Sequence, residues 1–277
     1  MLLAINGATT MKATLPEDIA AASAAGFKAL EIWAAKMDAY LEDHPIEELK
    51  ALLDQASLQP ASINSIEFIT FRPPEEYEAV QARCRELCEQ ARALCCEKIV
   101  VVPSPTPEGA TWDAIRDESV RVLRELSEIA YEYDVKLAFE FLGFPWCSVR
   151  TLAQGWEIVK ETGRGNIGLV IDTCHFYAGG SQLSAIGQVE AKKILIFHIN
   201  DVEDRPLETI EDAHRLLPGE GVIPLDDILI RLKHIGFDGL CSVELFRPEY
   251  WERDPVELAA AARAATLDIV EDYFGAE

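Results

Sequence analysis

Four apolar runs in the second half of this chain each carry one side chain that can bind a metal. They are Leu137-Ala-Phe-Glu140-Phe-Leu-Gly143, Leu169-Val-Ile-Asp172-Thr-Cys-His175, Ile194-Leu-Ile-Phe-His198-Ile-Asn200 and Cys241-Ser-Val-Glu244-Leu-Phe246. A carboxylate buried without a partner is costly, so isolated acids in apolar runs need a reason. For any one of them, an ion pair or a backbone hydrogen bond at a strand end is reason enough. For four in matched positions, one divalent cation shared by Glu140, Asp172, His198 and Glu244 is the better account. Three carboxylates and an imidazole form an oxygen-rich, mostly hard donor set. It suits Mn2+, Mg2+ or Co2+ and is also compatible with Zn2+. Such a site points to an enzyme.

Other residues surround this set in the sequence. His175 follows Asp172 by three positions, where it can meet a substrate hydroxyl or fix the loop. Glu31, in Leu30-Glu-Ile-Trp33, has two open roles: binding substrate hydroxyls, or anchoring a His or Lys behind the site. Trp33, Trp112, Trp146 and Trp251 are candidate walls against water, and Arg247 is expected to pair with a nearby acid.

For the four ligands to meet, the chain must bring distant strands together. Strand-like segments near 2–8, 29–34, 60–66, 98–103, 136–142, 167–173, 194–200 and 240–246 alternate with amphipathic helical ones. The helical stretches fall near 16–25, 45–56, 75–95, 112–133, 151–162, 182–190, 225–235 and 255–273. Pro16 and Pro45 mark first turns, and Gly26, Gly163 and Gly236 follow last turns. Such alternation predicts a parallel sheet, and eight repeats favour an α/β fold with one closed (β/α)8 TIM barrel spanning 1–277. Barrels of this kind run to about 250 residues and place their chemistry at the C-terminal strand ends. The four candidates then sit on adjacent staves, the fifth to the eighth. Strand periodicity puts Glu140 on one face with Ala138, and Glu244 with Ser242, while Phe139, Phe141, Val243 and Leu245 face the helices. The longest irregular segment, 201–224, contains Arg205, His214 and Arg215 and is expected to be functional.

The chain has 277 residues and a formal charge of −23, from 25 basic and 48 acidic residues. A surface this acidic repels phosphate backbones and anionic membranes, so neither nucleic acid nor membrane is an expected partner. No run of about 20 apolar residues is present. The first residues, Met1-Leu-Leu-Ala-Ile-Asn6-Gly7, read as a strand and not as a secretory signal. The seven cysteines are odd in number and form no C-x-x-C pair, so no disulfide framework is suggested. The expected location is cytoplasmic. Oligomeric state is left open.

The metal-binding set resembles that of the xylose isomerase-like superfamily of sugar isomerases and epimerases, whose members carry Glu, Asp, His and Glu on strands five to eight. The likeness covers essentially the whole chain. Within the superfamily, the branch that isomerises keto-inositols is most similar. The stretches that carry this are Asn6-Gly-Ala-Thr-Thr10, Glu140-Phe-Leu-Gly-Phe-Pro-Trp-Cys147, Asp172-Thr-Cys-His-Phe176, Pro218-Gly-Glu-Gly221 and Ser242-Val-Glu-Leu-Phe-Arg-Pro-Glu-Tyr250. Two departures are local: Gly7 stands where an acid is expected, and Glu220 where an amide is expected.

The resemblance implies one divalent metal ion that acidifies a carbon-bound proton beside a carbonyl and stabilises an enediolate. Glu140 and Glu244 would serve as base and acid, with His175, Arg215 and Glu31 near the substrate, a small polyol or keto-sugar. The net result would be a carbonyl shift converting 2-keto-myo-inositol to an isomeric keto-inositol. Ketose 3-epimerase, hydroxypyruvate-type isomerase and inosose dehydratase are rivals on the same scaffold. An endonuclease IV-like nuclease would need more histidines than the five present, and a less acidic chain. A non-enzymatic sugar- or metal-binding module is disfavoured because both acid–base candidates are retained.

Overall fold

Eight apolar runs pair edge to edge and close on themselves in a computed structural model that describes residues 1–275. The barrel strands are β1 (Leu2–Asn6), β2 (Ala29–Trp33), β3 (Gln59–Ile66), β4 (Lys98–Val101), β5 (Lys136–Glu140), β6 (Ile167–Asp172), β7 (Ile194–Ile199) and β10 (Leu240–Val243). All neighbouring pairs are parallel, in the order β1-β10-β7-β6-β5-β4-β3-β2. The fold class expected from the alternation of elements is the one observed.

Side-chain alternation along each strand makes two cores. Ala4, Ala29, Ala61, Val100, Ala138 and Val170 pack inside the barrel as an apolar plug. Phe139, Phe141, Val243 and Leu245 point outward into the helical layer, as their periodicity predicts. One step further up the inner face the residues become polar: Asn6 above Ala4, Glu31 above Ala29, Glu140 above Ala138, and Asp172 above Val170. The plug therefore forms the floor on which the polar layer stands.

The helices begin and end on chemical signals. Glu17 accepts a hydrogen bond from the Thr14 backbone N–H at the start of α1 (Leu15–Ala25), and Gly26 closes it at φ 87°. Then follow α2 (Ala34–Leu41), α3 (Ile46–Gln55), α4 (Pro74–Leu94), α5 (Trp112–Tyr131), α6 (Leu152–Thr162), α7 (Thr173–Ala178), α8 (Leu225–His234) and α9 (Pro255–Val270). Two of these, α2 and α7, lie outside the helical stretches expected from sequence. Conversely, the helix expected over 182–190 is only a 3-10 segment, Leu183–Gln188, which contains Gly187. Among the described residues no helix is long and apolar enough to cross a membrane.

The 201–224 segment is a folded loop. Its ends form a two-stranded antiparallel ribbon, β8 (Asp201–Val202) with β9 (Arg215–Leu216). Buried Asp201 holds it, accepting from the backbone N–H groups of Val202 and Ile223 at 2.9 Å and of Gly219 at 3.2 Å. This anchoring brings Asp212 and Arg215 over the barrel mouth.

Candidate metal centre and pocket

Glu140 and Asp172 are the last residues of β5 and β6, His198 lies near the end of β7, and Glu244 directly follows β10. Register pairs Asp172 with His198, and His198 with Ser242 two residues below Glu244. The four side chains converge: one ligand atom from each lies within 4.8 Å of the others. Nδ1 of His198 is 3.1 Å from Glu140 Oε1, 3.3 Å from Glu244 Oε2 and 4.0 Å from Asp172 Oδ2. Bond lengths of about 2.0–2.2 Å to nitrogen and oxygen donors put ligand atoms roughly 3–3.5 Å apart, so the Glu140 and Glu244 separations fit a divalent cation and Asp172 stands slightly farther out. The donor types fit as well.

Glu31 lies behind the imidazole. Its Oε1 is 2.8 Å from Nε2 of His198, and its carboxylate also accepts from Asn6 and from the Ser62 hydroxyl. It is fully buried and does not line the pocket. This corrects the substrate-contact role expected for Glu31. It is the residue that anchors a histidine, the other role its sequence position allowed. A carboxylate at Nε2 holds the ring proton there and turns Nδ1 toward the metal position.

Each carboxylate of the set has its own supports. Asp172 Oδ1 accepts from the His175 backbone N–H at 2.7 Å, capping α7, and its Oδ2 accepts from Asn200 and Arg215, both at 2.7 Å. Glu244 Oε1 accepts from Asn6 at 2.9 Å and Asn64 at 3.0 Å, and its Oε2 accepts from Arg215 at 3.1 Å. Glu140 differs. Only its Oε1 has a protein partner, and the residue opens onto the pocket.

Electrostatics follow from this crowding. Burial lifts the Glu140 carboxyl to about 8, against the pull of His198 and with help from Glu244. Burial also opposes a charged His198, yet Glu244, Glu31 and Glu140 together hold its pKa well above the ordinary value. Asp172 is held below the usual carboxylate range despite its burial, chiefly by Arg215.

Arg215 is fully buried and stacks over Phe246 at 5.2 Å. Nη1 donates to Asp172 and Glu244, Nε donates to Asp212 at 3.0 Å, and Nη2 lies 3.1 Å from Nε2 of His175. A guanidinium only donates, so Nε2 of His175 accepts and Nδ1 carries its proton. That Nδ1 is buried with no protein partner. Burial pushes the His175 pKa down from its ordinary value. Both residues line the pocket, and Arg215's N–H groups are committed to protein acceptors.

Above this floor lies a cavity of about 220 Å3 walled by Trp33, Phe68, Trp146 and Phe246. It is smaller than the roughly 300–1,000 Å3 of drug-sized sites and suits a single sugar-sized ring. Two of the four candidate tryptophans are therefore in the wall. Trp112 starts α5, and Trp251 donates its indole N–H to the Ala8 carbonyl at 3.0 Å. Arg247 pairs with Glu203 at 2.8 Å. Gly7 has a structural reason: a Cβ there would lie 3.0 Å from both Asp18 Oδ2 and Trp33 Cβ.

The amides Asn6, Asn64 and Asn200 went unrecognised as site residues in the sequence. Their signal was the one that exposed the acids, a polar residue ending an apolar run on the inner face.

Comparison with known proteins agrees with this geometry. The chain is 39% identical over 279 residues to an inosose isomerase of Halalkalibacterium halodurans, covering 100% of this chain and 99% of the relative. It is 38% identical to the inosose isomerase of Bacillus subtilis, covering 99% of each. A solved structure of the IolI protein with a binding zinc atom superposes at TM-score 0.97, with 38% identity, over 99% of this chain and 100% of that one. The family model for the xylose isomerase-like TIM barrel matches residues 19–267. With that match and full-length relatives at this identity, the chain belongs to the xylose isomerase-like TIM barrel family.

Proposed function

We propose that this protein is a metal-dependent isomerase that shifts the carbonyl of 2-keto-myo-inositol to a neighbouring carbon. The observation that carries this reading is the convergence of Glu140, Asp172, His198 and Glu244 beneath a ring-sized pocket. The full-length similarity to inosose isomerases supports the substrate.

A divalent ion held by these four side chains supplies Lewis-acid polarisation of a carbonyl and its neighbouring hydroxyl. The oxygen-rich donor set and the zinc in the IolI structure support a zinc- or manganese-type ion. The remaining chemistry belongs to side chains. Glu140, with one oxygen free of protein partners, takes the proton from the hydroxyl-bearing carbon. Glu244 delivers a proton taken up from solvent to the former carbonyl carbon, and Glu140 releases its own to solvent, so both groups are reset for the next turnover. Asn6 and Asn64 fix Oε1 of Glu244, and Arg215 holds its Oε2 and the Asp172 carboxylate in place. His175 contacts a substrate oxygen. The hydroxyl proton moves to the former carbonyl oxygen, so product and substrate have the same atoms. Aromatic walls keep bulk water from the reacting carbons.

Seven cysteines, all unpaired, support a reducing compartment and hence the cytoplasm. The charge of −23 supports a small-molecule partner over nucleic acid.

The test is proton NMR in D2O on metal-reconstituted protein with 2-keto-myo-inositol, beside an EDTA-stripped control. The expected result is metal-dependent formation of an isomeric keto-inositol with deuterium beside the carbonyl. Epimerisation or water loss without that isomer would replace this reading with an epimerase or dehydratase.

A further inference from the structure

Glu67 is the first residue after β3 and lines the same pocket as Glu140 and Glu244. It has no hydrogen-bonded or ion-paired partner among the described residues. The charged group nearest to it in effect is another acid, Asp212, and burial together with Asp212 raises its pKa from the ordinary value. Glu67 is exposed at the mouth of the pocket, so its carboxylate is open to solvent and to a ligand alike. It is free to accept from a ligand.

The balance of charge around the cavity gives this a direction. Among the described residues Arg215 is the only Lys or Arg in the wall, and its donors are taken by Asp172, Glu244, Asp212 and His175. The carboxyl groups of Glu67, Asp212, Glu140 and Glu244 in the same wall outnumber that one cation. A carboxylate on a ligand would find no unspent counter-charge at the outer end of the pocket. A neutral polyol would find a carboxylate able to accept from two adjacent hydroxyls, between aromatic faces that pack on its C–H edges. Trp33 with Phe246 and Phe68 with Trp146 form those faces, at ring separations of 5.6 and 6.1 Å.

We propose that Glu67 is a specificity-determining residue, selecting neutral polyhydroxylated ketones and turning away carboxylated ones. This deepens the isomerase reading and rests on it for the choice of ring.

Calorimetric binding to the metal-loaded protein tests it without turnover, using myo-inositol as the neutral cyclic polyol and shikimate as the carboxylated one. In Glu67→Gln, myo-inositol should weaken about fivefold, through loss of a charged acceptor, and shikimate should tighten about threefold. In Glu67→Asp, which keeps the charge but shortens the reach, myo-inositol should weaken while shikimate stays rejected. Raising the salt should narrow the wild-type preference. An unchanged ratio of affinities in Glu67→Gln, or no binding of either compound to wild type, overturns the proposal. Turnover of 2-keto-myo-inositol, measured in parallel, separates the two failures. Intact turnover with an unchanged ratio removes the role of Glu67 alone. Absent turnover with a shifted ratio removes the isomerase reading and keeps the charge selection.

Discussion

His198 has a carboxylate on each side of its ring, and the two sides do different work. Glu31 at Nε2 orients the ring, while Glu140 and Glu244 at Nδ1 crowd the position where a cation neutralises them. Glu31→Gln should therefore lower metal affinity by about 10–100-fold although Glu31 touches no substrate. Metal titration against a competing chelator measures this. Glu140→Gln should instead cut turnover by roughly 10^2–10^4-fold even when metal is supplied in excess. Steady-state rates at saturating metal separate the two variants. Protonation adds a third expectation. In the metal-free protein Glu140 titrates near 8 and His198 is raised well above its ordinary value, so both bind protons that a cation must displace. Affinity should rise with pH, roughly tenfold per unit between pH 6 and 8 for each proton displaced. A flat profile over that range would contradict the assigned ligands. At this scale the sequence was most informative about charge. An acid alone in an apolar strand stands out, whereas Asn6, Asn64 and Asn200 do not, because an amide is cheap enough to bury with an ordinary hydrogen-bond partner.

The elements that position these residues differ in how much of their placement is local. The barrel strands were legible because short apolar runs bounded by Gly, Pro or helical patterns have few alternatives. Gly26, Gly163 and Gly236 marked helix ends for the same reason, each adopting a positive φ where the chain leaves a helix. Short elements were not legible. The six residues of α7 owe their helical turn to Asp172 capping the His175 N–H, and the β8–β9 ribbon owes its pairing to Asp201. Both depend on contacts that no local periodicity records. Arg215 illustrates the consequence: its loop was visible in the sequence, but three of the four acceptors that hold its guanidinium, Asp172, His175 and Glu244, come from α7 and from strand ends far away in the chain. Asp201→Ala leaves three backbone N–H groups of the loop without their acceptor. We expect a loss of about 2–3 kcal/mol in chemical denaturation. Proteolytic cleavage within 203–222 should quicken, because the loop loses its anchor before the barrel opens.

Across the whole molecule, the floor of the mouth is an accumulation of like charge. Glu31, Glu140, Asp172 and Glu244 are all buried, with Arg215 and His198 as their only cationic partners among the described residues. Such a cluster costs folding energy that a bound dication returns, so removing metal should destabilise the entire barrel. EDTA treatment should lower Tm on the order of 5 °C or more, with recovery on adding Mn2+ or Zn2+. An unchanged Tm would mean that the cluster is satisfied without metal. The most direct test of the account is an anomalous difference map from crystals of the protein soaked in Mn2+. One strong peak is expected, enclosed by Glu140, Asp172, His198 Nδ1 and Glu244. No peak there, or a peak only at the neighbouring group of Asp172, Cys174 and His175, would contradict it.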